Sequence, residues 1–222
     1  MRSLDKIAKS KGTDKSSELH NYCEKYEKYL PFNRLEPLTF LEIGVLNGES
    51  LATWLEYYPN ATIVGIDINP DCKKYEDVEN QVFVEIGSQD DPAFLKEVVD
   101  KWGPFDIILD DGSHINHHVI LSFEHLFNSV KPSGVYVVED ACTSYWADYG
   151  GGPKKPGTIM EYFKDRVDEV NFGGEFQESI PNVHARREDL LIEQFKRKGY
   201  NFIGTQIESL NFLNSIIIIT KR

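Results

Sequence analysis

The sequence predicts a doubly wound α/β fold, in which helices cover both faces of a mostly parallel sheet. Its 222 residues suit one such domain, and 41% of them are hydrophobic, enough to fill a core on each face of a sheet. From residue 38 onward, short apolar runs alternate with helix-length amphipathic segments; the runs are LTFLEIG, TIVGID, VFVEIG, FDIILD and SGVYVVED. Strands that alternate with helices imply right-handed crossovers and therefore a parallel sheet.

Two closing strands complete the predicted sheet. YNFIGTQIES and FLNSIIIITKR follow a helix near 187 to 198, and their short connection makes them antiparallel neighbours. Five parallel strands followed by such a pair form the layout of a Rossmann-like class I methyltransferase, a seven-stranded, mostly parallel sheet with an antiparallel last strand. Helices are expected between the first five strands, at 48 to 58, 70 to 76, 91 to 102 and 115 to 129.

Two segments stand outside this alternation. Residues 1–37 contain an amphipathic stretch between Leu19 and Leu30, which predicts a helix that precedes the core rather than joining it. We therefore divide the chain into a helical lid segment, 1–37, and a methyltransferase domain, 38–222. After the fifth strand, ACTSYWADYGGGPKKPG is rich in glycine and proline and predicts a long substrate loop.

The charge and apolar content of the chain exclude several classes of partner. The 24 basic and 36 acidic residues give a formal charge of -12, which repels phosphate backbones, so no nucleic acid is expected. The start lacks the apolar centre of a signal peptide, and the longest apolar run, Ile216 to Ile219, is too short to span a bilayer. We expect a cytoplasmic protein without a membrane partner. Three cysteines at wide spacings predict reduced thiols.

A cofactor site is predicted at the end of the first strand. In LEIGVLNGES, Glu42, Gly44, Gly48 and Ser50 stand at the end of the first strand and the start of the following helix, where glycines let the backbone approach a ligand. The spacing differs from the GxGxxG that holds a dinucleotide pyrophosphate, which disfavours an NAD-dependent dehydrogenase.

Polar residues at the ends of the next three strands extend this site. Asp67 is placed to bind ribose hydroxyls, Ser88 and Gln89 to bind an adenine edge, and Asp110 to lie near a methionine moiety. Each carboxylate alone could simply cap a helix or face solvent. Four such motifs at one sheet edge predict S-adenosylmethionine as the cofactor.

A metal site is predicted beside the cofactor. Asp111 follows the fourth strand, and Glu139 and Asp140 follow the fifth, so their carboxylates should converge at one edge. Three oxygen donors suit Mg²⁺, which could bind two neighbouring hydroxyls of an acceptor. His114, three residues after Asp111, is placed to act as general base. The alternative is that His114 only begins a helix.

The three histidines in this region leave one further interpretation open. His114, His117 and His118 have a spacing compatible with a zinc site on one helix, but no cysteine or second histidine cluster completes it.

The motifs DDGSH, VVEDACTSYWADYGG and KGTDK resemble those of the metal-dependent sugar O-methyltransferases of macrolide antibiotic biosynthesis, and also the enzymes first labelled cephalosporin hydroxylases. The resemblance runs from about residue 10 to the end. It implies Asp111, Glu139 and Asp140 as Mg²⁺ ligands and His114 as the base. It also suggests that residues 13 to 26 fold over the cofactor, where Asp14, Lys15, His20 and Tyr22 could touch it or the acceptor. The alternative is that this segment is an ordinary surface helix.

The acceptor is less clearly encoded. Tyr145, Trp146 and Tyr149 lie in the loop after the predicted metal ligands, and aromatic faces commonly pack against sugars, so we expect a sugar-containing small molecule. A catechol-type O-methyltransferase and a non-catalytic module that binds S-adenosylmethionine are the alternatives. Assembly as a homo-oligomer is left open.

Overall fold

A computed structural model describes residues 1–171 and 202–222 of the chain. Seven strands form one sheet in the order β3-β2-β1-β4-β5-β7-β6. The strands are β1 Thr39–Ile43, β2 Thr62–Asp67, β3 Val82–Ile86, β4 Phe105–Asp110, β5 Val130–Val138, β6 Ile207–Leu213 and β7 Ile216–Lys221. β1 to β5 pair in parallel, and β7 is antiparallel to both β5 and β6. The predicted fold class is confirmed, including the antiparallel last strand.

Six α-helices accompany this sheet in the described ranges. They are α1 Leu4–Lys11, α2 Cys23–Tyr29, α3 Glu49–Tyr57, α4 Pro92–Trp102, α5 Asn116–Leu126 and α6 Ile159–Val170. Two differences from the predicted helices stand out: residues 70–75 form a 3-10 helix rather than an α-helix, and α1 was not expected. The helix expected near 187 to 198 lies outside the described residues. None of the helices that the structure describes is long and apolar enough to cross a bilayer.

The core has two layers because the strands are buried on both faces. Successive residues of β1 and β7 alternate between the layers: Phe40 and Ile218 belong to one, and Leu41 and Ile217 to the other. This explains why Ile216 to Ile219 form an unbroken apolar run, since a strand covered on both faces has no solvent-facing positions.

The N-terminal segment is part of one of these layers. Leu4, Ile7 and Tyr26 are buried in the cluster that also contains Trp54 of α3, and the rings of Tyr26 and Trp54 lie 5.4 Å apart at their centroids. Ser3 caps the start of α1, and Gly12 ends it in a left-handed conformation. The expectation that this segment precedes the core without joining it is therefore wrong.

Strand register brings the ends of the central strands together. Ile43 of β1 is paired with Asp110 of β4, which in turn is paired with Val138 of β5. The residues that follow, Gly44, Asp111 and Glu139, consequently lie side by side at the carboxyl edge. Gly44 has a φ of 95°, and a Cβ atom there would lie 2.2 Å from the carbonyl oxygen of Asp111. Only glycine fits this crossing of two loops.

We expect Gly44→Ala to lower the free energy of unfolding by about 4 kcal/mol or more, because the added methyl group collides with backbone atoms. Gly150→Ala is the matched control: Gly150 also has a positive φ, 75°, but nothing lies within 4 Å of its Cβ position. The free energy of unfolding of the control should fall by only about 1–2 kcal/mol, the cost of a left-handed backbone conformation for alanine. Urea unfolding measures both, and equal losses would contradict the proposed close packing.

Candidate active site

A cavity of about 580 Å³ opens at the carboxyl edge of the sheet. This volume is typical of a small-molecule site. Its walls come from the strand ends and from the N-terminal segment; the main ranges are 12–15, 43–47, 66–68, 87–89 and 111–114, with Glu49, Ser50, His118 and Asp140. The loops after β1 to β5 therefore meet at one cavity, as the sequence predicts.

Asp67 holds the loop after β1. Its Oδ2 accepts hydrogen bonds from the backbone N–H groups of Val45 (2.9 Å) and Leu46 (3.0 Å), and its Oδ1 accepts one from Asn69 (2.8 Å). Burial acts to raise the pKa of Asp67, but these N–H donors prevail and leave the pKa below its usual value. Asp67 lines the cavity as a carboxylate.

Glu42 lies beneath the cavity rather than on its wall. The side chain is fully buried, and Ser50 donates a hydrogen bond to its Oε2 at 2.9 Å. Burial raises the pKa of Glu42 to about 7. Gly44 and Ser50 line the cavity, whereas Gly48 begins α3 with a φ of 74° and faces the ring of Tyr75.

Gln89 ties the ends of β3 and β4 together. Its Nε2 donates to Asp110 Oδ1 (3.1 Å) and to Ser122 (3.0 Å), and its Oε1 accepts from the backbone N–H of Ser113 (2.6 Å). Asp110 also accepts a hydrogen bond from Tyr136 at 3.0 Å and is buried behind the cavity wall, where burial raises its pKa to about 7. Gln89 lines the cavity, but Asp110 does not.

Polar groups nearer the surface continue the wall beyond Gln89. Ser88 donates a hydrogen bond to Asp90, and Asp90 lies 3.3 Å from Nε2 of His118. The other ring nitrogen of His118 is 3.0 Å from the hydroxyl of Ser113. His118 is thus engaged away from His114, and His117 is exposed, so the three histidines do not form a zinc site.

Asp111, His114 and Asp140 form a group of three potential metal ligands. One donor atom of each lies within 4.8 Å of the others. Nε2 of His114 is 3.9 Å from Asp111 Oδ1 and 3.8 Å from Asp140 Oδ2. His114 and Asp140 both have left-handed backbone conformations, with φ of 56° and 49°. Such conformations are costly for residues other than glycine, and they aim both side chains at one point.

The structure places Glu139 outside this group. Its carboxylate is buried, accepts a hydrogen bond from Tyr26, and lies 3.0 Å from the Nζ of Lys15. Burial, together with the neighbouring charge of Asp111, raises the pKa of Glu139 well above its usual value. The predicted ligand set of Asp111, Glu139 and Asp140 is therefore not gathered as a set, because the side chains of consecutive residues at a strand end point to opposite sides.

Lys15 is the residue whose position sequence reasoning missed. Its side chain is 2% exposed, and its Nζ contacts Asp111 directly, Glu139 at 3.0 Å and Glu42 at 3.8 Å. Burial lowers the pKa of a lysine, but these carboxylates together raise the pKa of Lys15 well above its usual value. The KGTDK motif indicated a functional segment, but no sequence pattern predicts that the ammonium of Lys15 is buried among the ends of three strands.

This donor set fits a divalent cation. Three carboxyl groups, those of Glu42, Asp111 and Glu139, surround one buried ammonium, and the carboxylate of Asp140 lies near that of Asp111, so the site carries an excess of formal negative charge. Carboxylate oxygens at an opening to solvent are the ligands that Mg²⁺ prefers, with waters completing its coordination. Asp111 and Asp140 would supply them.

Aromatic side chains flank the same opening. The ring of Tyr149 lies 6.5 Å from that of His114 and 5.8 Å from that of Trp146, measured between centroids. Trp146 is 52% exposed and Tyr145 is 46% exposed. Large exposed aromatic faces beside a polar group are typical of a binding surface.

We expect Gln89→Leu to lower the free energy of unfolding by about 2–4 kcal/mol, because it deprives buried Asp110 of a donor and the Ser113 N–H of its acceptor. Chemical denaturation measures the loss. Ser88→Ala at the half-buried neighbouring residue, whose side chain bonds to the exposed Asp90, should cost less, about 0.5 kcal/mol. A Gln89→Leu protein of unchanged stability that no longer binds S-adenosylhomocysteine would instead assign Gln89 to direct ligand contact.

Comparisons with known proteins agree with this geometry. Residues 41–141 match a family described as a methyltransferase domain. The chain is 36% identical over 180 residues to L-olivosyl-oleandolide 3-O-methyltransferase of Streptomyces antibioticus, covering 76% of this chain and 46% of that protein. It is 36% identical over 177 residues to mycinamicin VI 2''-O-methyltransferase of Micromonospora griseorubida, covering 75% and 44%. The chain thus spans about half the length of these relatives.

Among solved structures, the MycE methyltransferase from the mycinamycin biosynthetic pathway, in complex with Mg and SAH, superposes with a TM-score of 0.82. The match is 28% identical and covers 99% of this chain and 54% of that chain. A second crystal structure of that protein, which also contains mycinamycin VI, gives a TM-score of 0.80. These matches confirm that the chain resembles the sugar O-methyltransferases of antibiotic biosynthesis, and its fold is the Rossmann-like fold of class I methyltransferases.

Proposed function

We propose that this protein is an S-adenosylmethionine-dependent, Mg²⁺-dependent O-methyltransferase that methylates a hydroxyl of a sugar-containing small molecule. The observation that carries the proposal is the convergence of Asp111, His114 and Asp140 on the wall of the cavity at the carboxyl edge. The relatives are named for sugar-bearing antibiotics, and the related crystal structure contains Mg and SAH.

The cofactor occupies the part of the cavity between the loops after β1, β2 and β3 in this proposal. Gly44 allows close approach of the backbone, and Asp67 offers its carboxylate at the end of β2 to the ribose hydroxyls. Ser88 and Gln89 lie at the end of β3, where the adenine is expected. S-adenosylmethionine supplies the electrophilic methyl group.

The acceptor enters on the side of Asp140, between the aromatic loop and the N-terminal segment. Asp111 and Asp140 would hold Mg²⁺, which would bind the acceptor and make its hydroxyl more acidic. His114 takes the proton from the hydroxyl as the oxygen attacks the methyl carbon of S-adenosylmethionine. The bond between that carbon and the sulfonium sulfur breaks, and S-adenosylhomocysteine leaves as a neutral thioether. Tyr149 and Trp146 pack against the sugar.

Residues 1–37 act as a lid over the domain formed by 38–222. Support for this role comes from Gly12 to Lys15, which line the cavity, and from His20, whose Nδ1 is 3.5 Å from Asp140 Oδ1. The formal charge of -12 repels phosphate backbones, which agrees with a small-molecule acceptor rather than a nucleic acid. We place this reaction in the cytoplasm.

The first test is methyl transfer to a panel of acceptors. We expect transfer from S-adenosylmethionine to glycosylated macrolides or other rhamnosyl and deoxysugar compounds, with Mg²⁺ present, and loss of turnover in excess EDTA that fresh Mg²⁺ restores. Mass spectrometry detects the added methyl group. Transfer to catechols but not to sugars would favour the catechol alternative. Binding of S-adenosylmethionine without transfer to any acceptor in metabolite extracts would favour a non-catalytic module.

The second test separates two roles for His114. If it is the base, His114→Ala should lower the rate by about 10²–10⁴-fold, since a general base typically contributes that much, with unchanged Mg²⁺ affinity. If it is a ligand, the dissociation constant for Mg²⁺ should rise. Steady-state kinetics and calorimetry measure the two quantities.

His117→Ala is the matched control, because His117 is exposed and neighbours the same helix start. His118 is unsuitable, since it lines the cavity and contacts Asp90 and Ser113. A folded His114→Ala protein that turns over within about threefold of the parent, far below the usual general-base contribution, would remove His114 from the chemistry.

A further inference from the structure

The N-terminal segment holds one oxygen of each candidate metal ligand. Lys15 donates a hydrogen bond from its Nζ to Oδ2 of Asp111, and Tyr22 donates one from its hydroxyl to Oδ1 of Asp140. The two donors lie seven positions apart on the chain, whereas the two acceptors belong to the loops after β4 and β5. One short segment therefore orients both carboxylates.

The second oxygen of each carboxylate faces His114. Asp111 Oδ1 and Asp140 Oδ2 are the atoms that lie 3.9 and 3.8 Å from His114 Nε2. Within residues 1–171 and 202–222, neither of these two oxygens accepts a hydrogen bond. Each carboxylate thus has one oxygen that a donor of the N-terminal segment holds and one oxygen that remains available to a cation.

The two donors are fixed in position. Lys15 is 2% exposed and Tyr22 is 3% exposed, so neither can turn away into solvent. Tyr22 also packs edge-on against the rings of His20 and Tyr26, which limits its rotation.

We propose that Lys15 and Tyr22 are positioning residues that leave one oxygen of Asp111 and one of Asp140 to the bound cation, and that they thereby favour Mg²⁺ over Ca²⁺. The inference rests on the proposed function, which places Mg²⁺ at these carboxylates. Mg²⁺ needs few protein oxygens at short, octahedral positions and keeps its waters. Ca²⁺ takes six to eight oxygens and gains from carboxylates that bind through both atoms.

The deciding variant is Tyr22→Phe, which removes the donor to Asp140 Oδ1 and keeps the packed ring. The dissociation constants for Mg²⁺ and for Ca²⁺ are measured by calorimetry on the 222-residue chain. We expect Mg²⁺ binding to weaken about 10-fold, in the range typical for loss of a group that orients a metal ligand. Ca²⁺ binding should weaken much less, because the freed oxygen can now join its coordination. The ratio of the two constants is therefore the readout.

The ratio distinguishes a positioning role from a purely structural one, because a general loss of order would weaken the binding of both cations alike. Tyr29→Phe, at the last residue of the helix α2 that Tyr22 precedes, is the control and should leave both constants as in the parent. Lys15→Met tests the Asp111 contact in the same way. It is expected to be unstable, since Glu42 and Glu139 lose their buried counter-ion, so Tyr22→Phe decides the proposal.

Two results would count against these ideas at different levels. A folded Tyr22→Phe protein with a Mg²⁺ to Ca²⁺ ratio equal to that of the parent, whether neither constant changes or both change alike, overturns the inference and leaves the proposed function standing. A parent protein that binds no Mg²⁺ but binds S-adenosylhomocysteine overturns the metal part of the proposed function, and the inference with it.

Discussion

The buried ammonium group of Lys15 is the interaction on which the rest of the site depends. Its contacts with Glu42, Asp111 and Glu139 join the ends of β1, β4 and β5, which are three adjacent strands of the sheet. Carboxylates packed this closely repel one another, and burial adds a desolvation cost for each charge. A fixed cation among them makes the arrangement stable while leaving one carboxylate edge open to the cavity.

Backbone constraints determine where the side chains at the cavity mouth point. The crossing of Gly44 over Asp111 brings the loops after β1 and β4 into contact, and the left-handed conformations of His114 and Asp140 direct two side chains to the same place. Gln89 supports this wall from behind through its bond to the backbone of Ser113. Residues with unfavourable backbone geometry commonly gather where function requires it, and here they surround the cavity mouth.

The sequence predicted the sheet well because its information is local. Apolar runs and their spacing determine strands such as Ile216–Lys221, and the carboxyl-edge rule then brings Asp67 and Asp111 to one cavity. The side-chain partners could not be predicted in this way. The twist of one strand end determines whether the side chain of Glu139 points into the cavity or toward Lys15. The burial of Asp110 behind Gln89 depends on packing between loops that are distant in the chain.

The contacts of the N-terminal segment also have a consequence for the order in which the chain acquires its structure. Lys15 is separated by 96 residues from Asp111 and by 124 from Glu139, and Tyr22 by 118 from Asp140. During synthesis, Lys15 and Tyr22 therefore have no partners for these contacts until the end of β5 has left the ribosome. Contacts of such long sequence separation form late and slow folding. The N-terminal segment thus reaches its final place only after the central strands have been made, and closing the site depends on completing that part of the sheet.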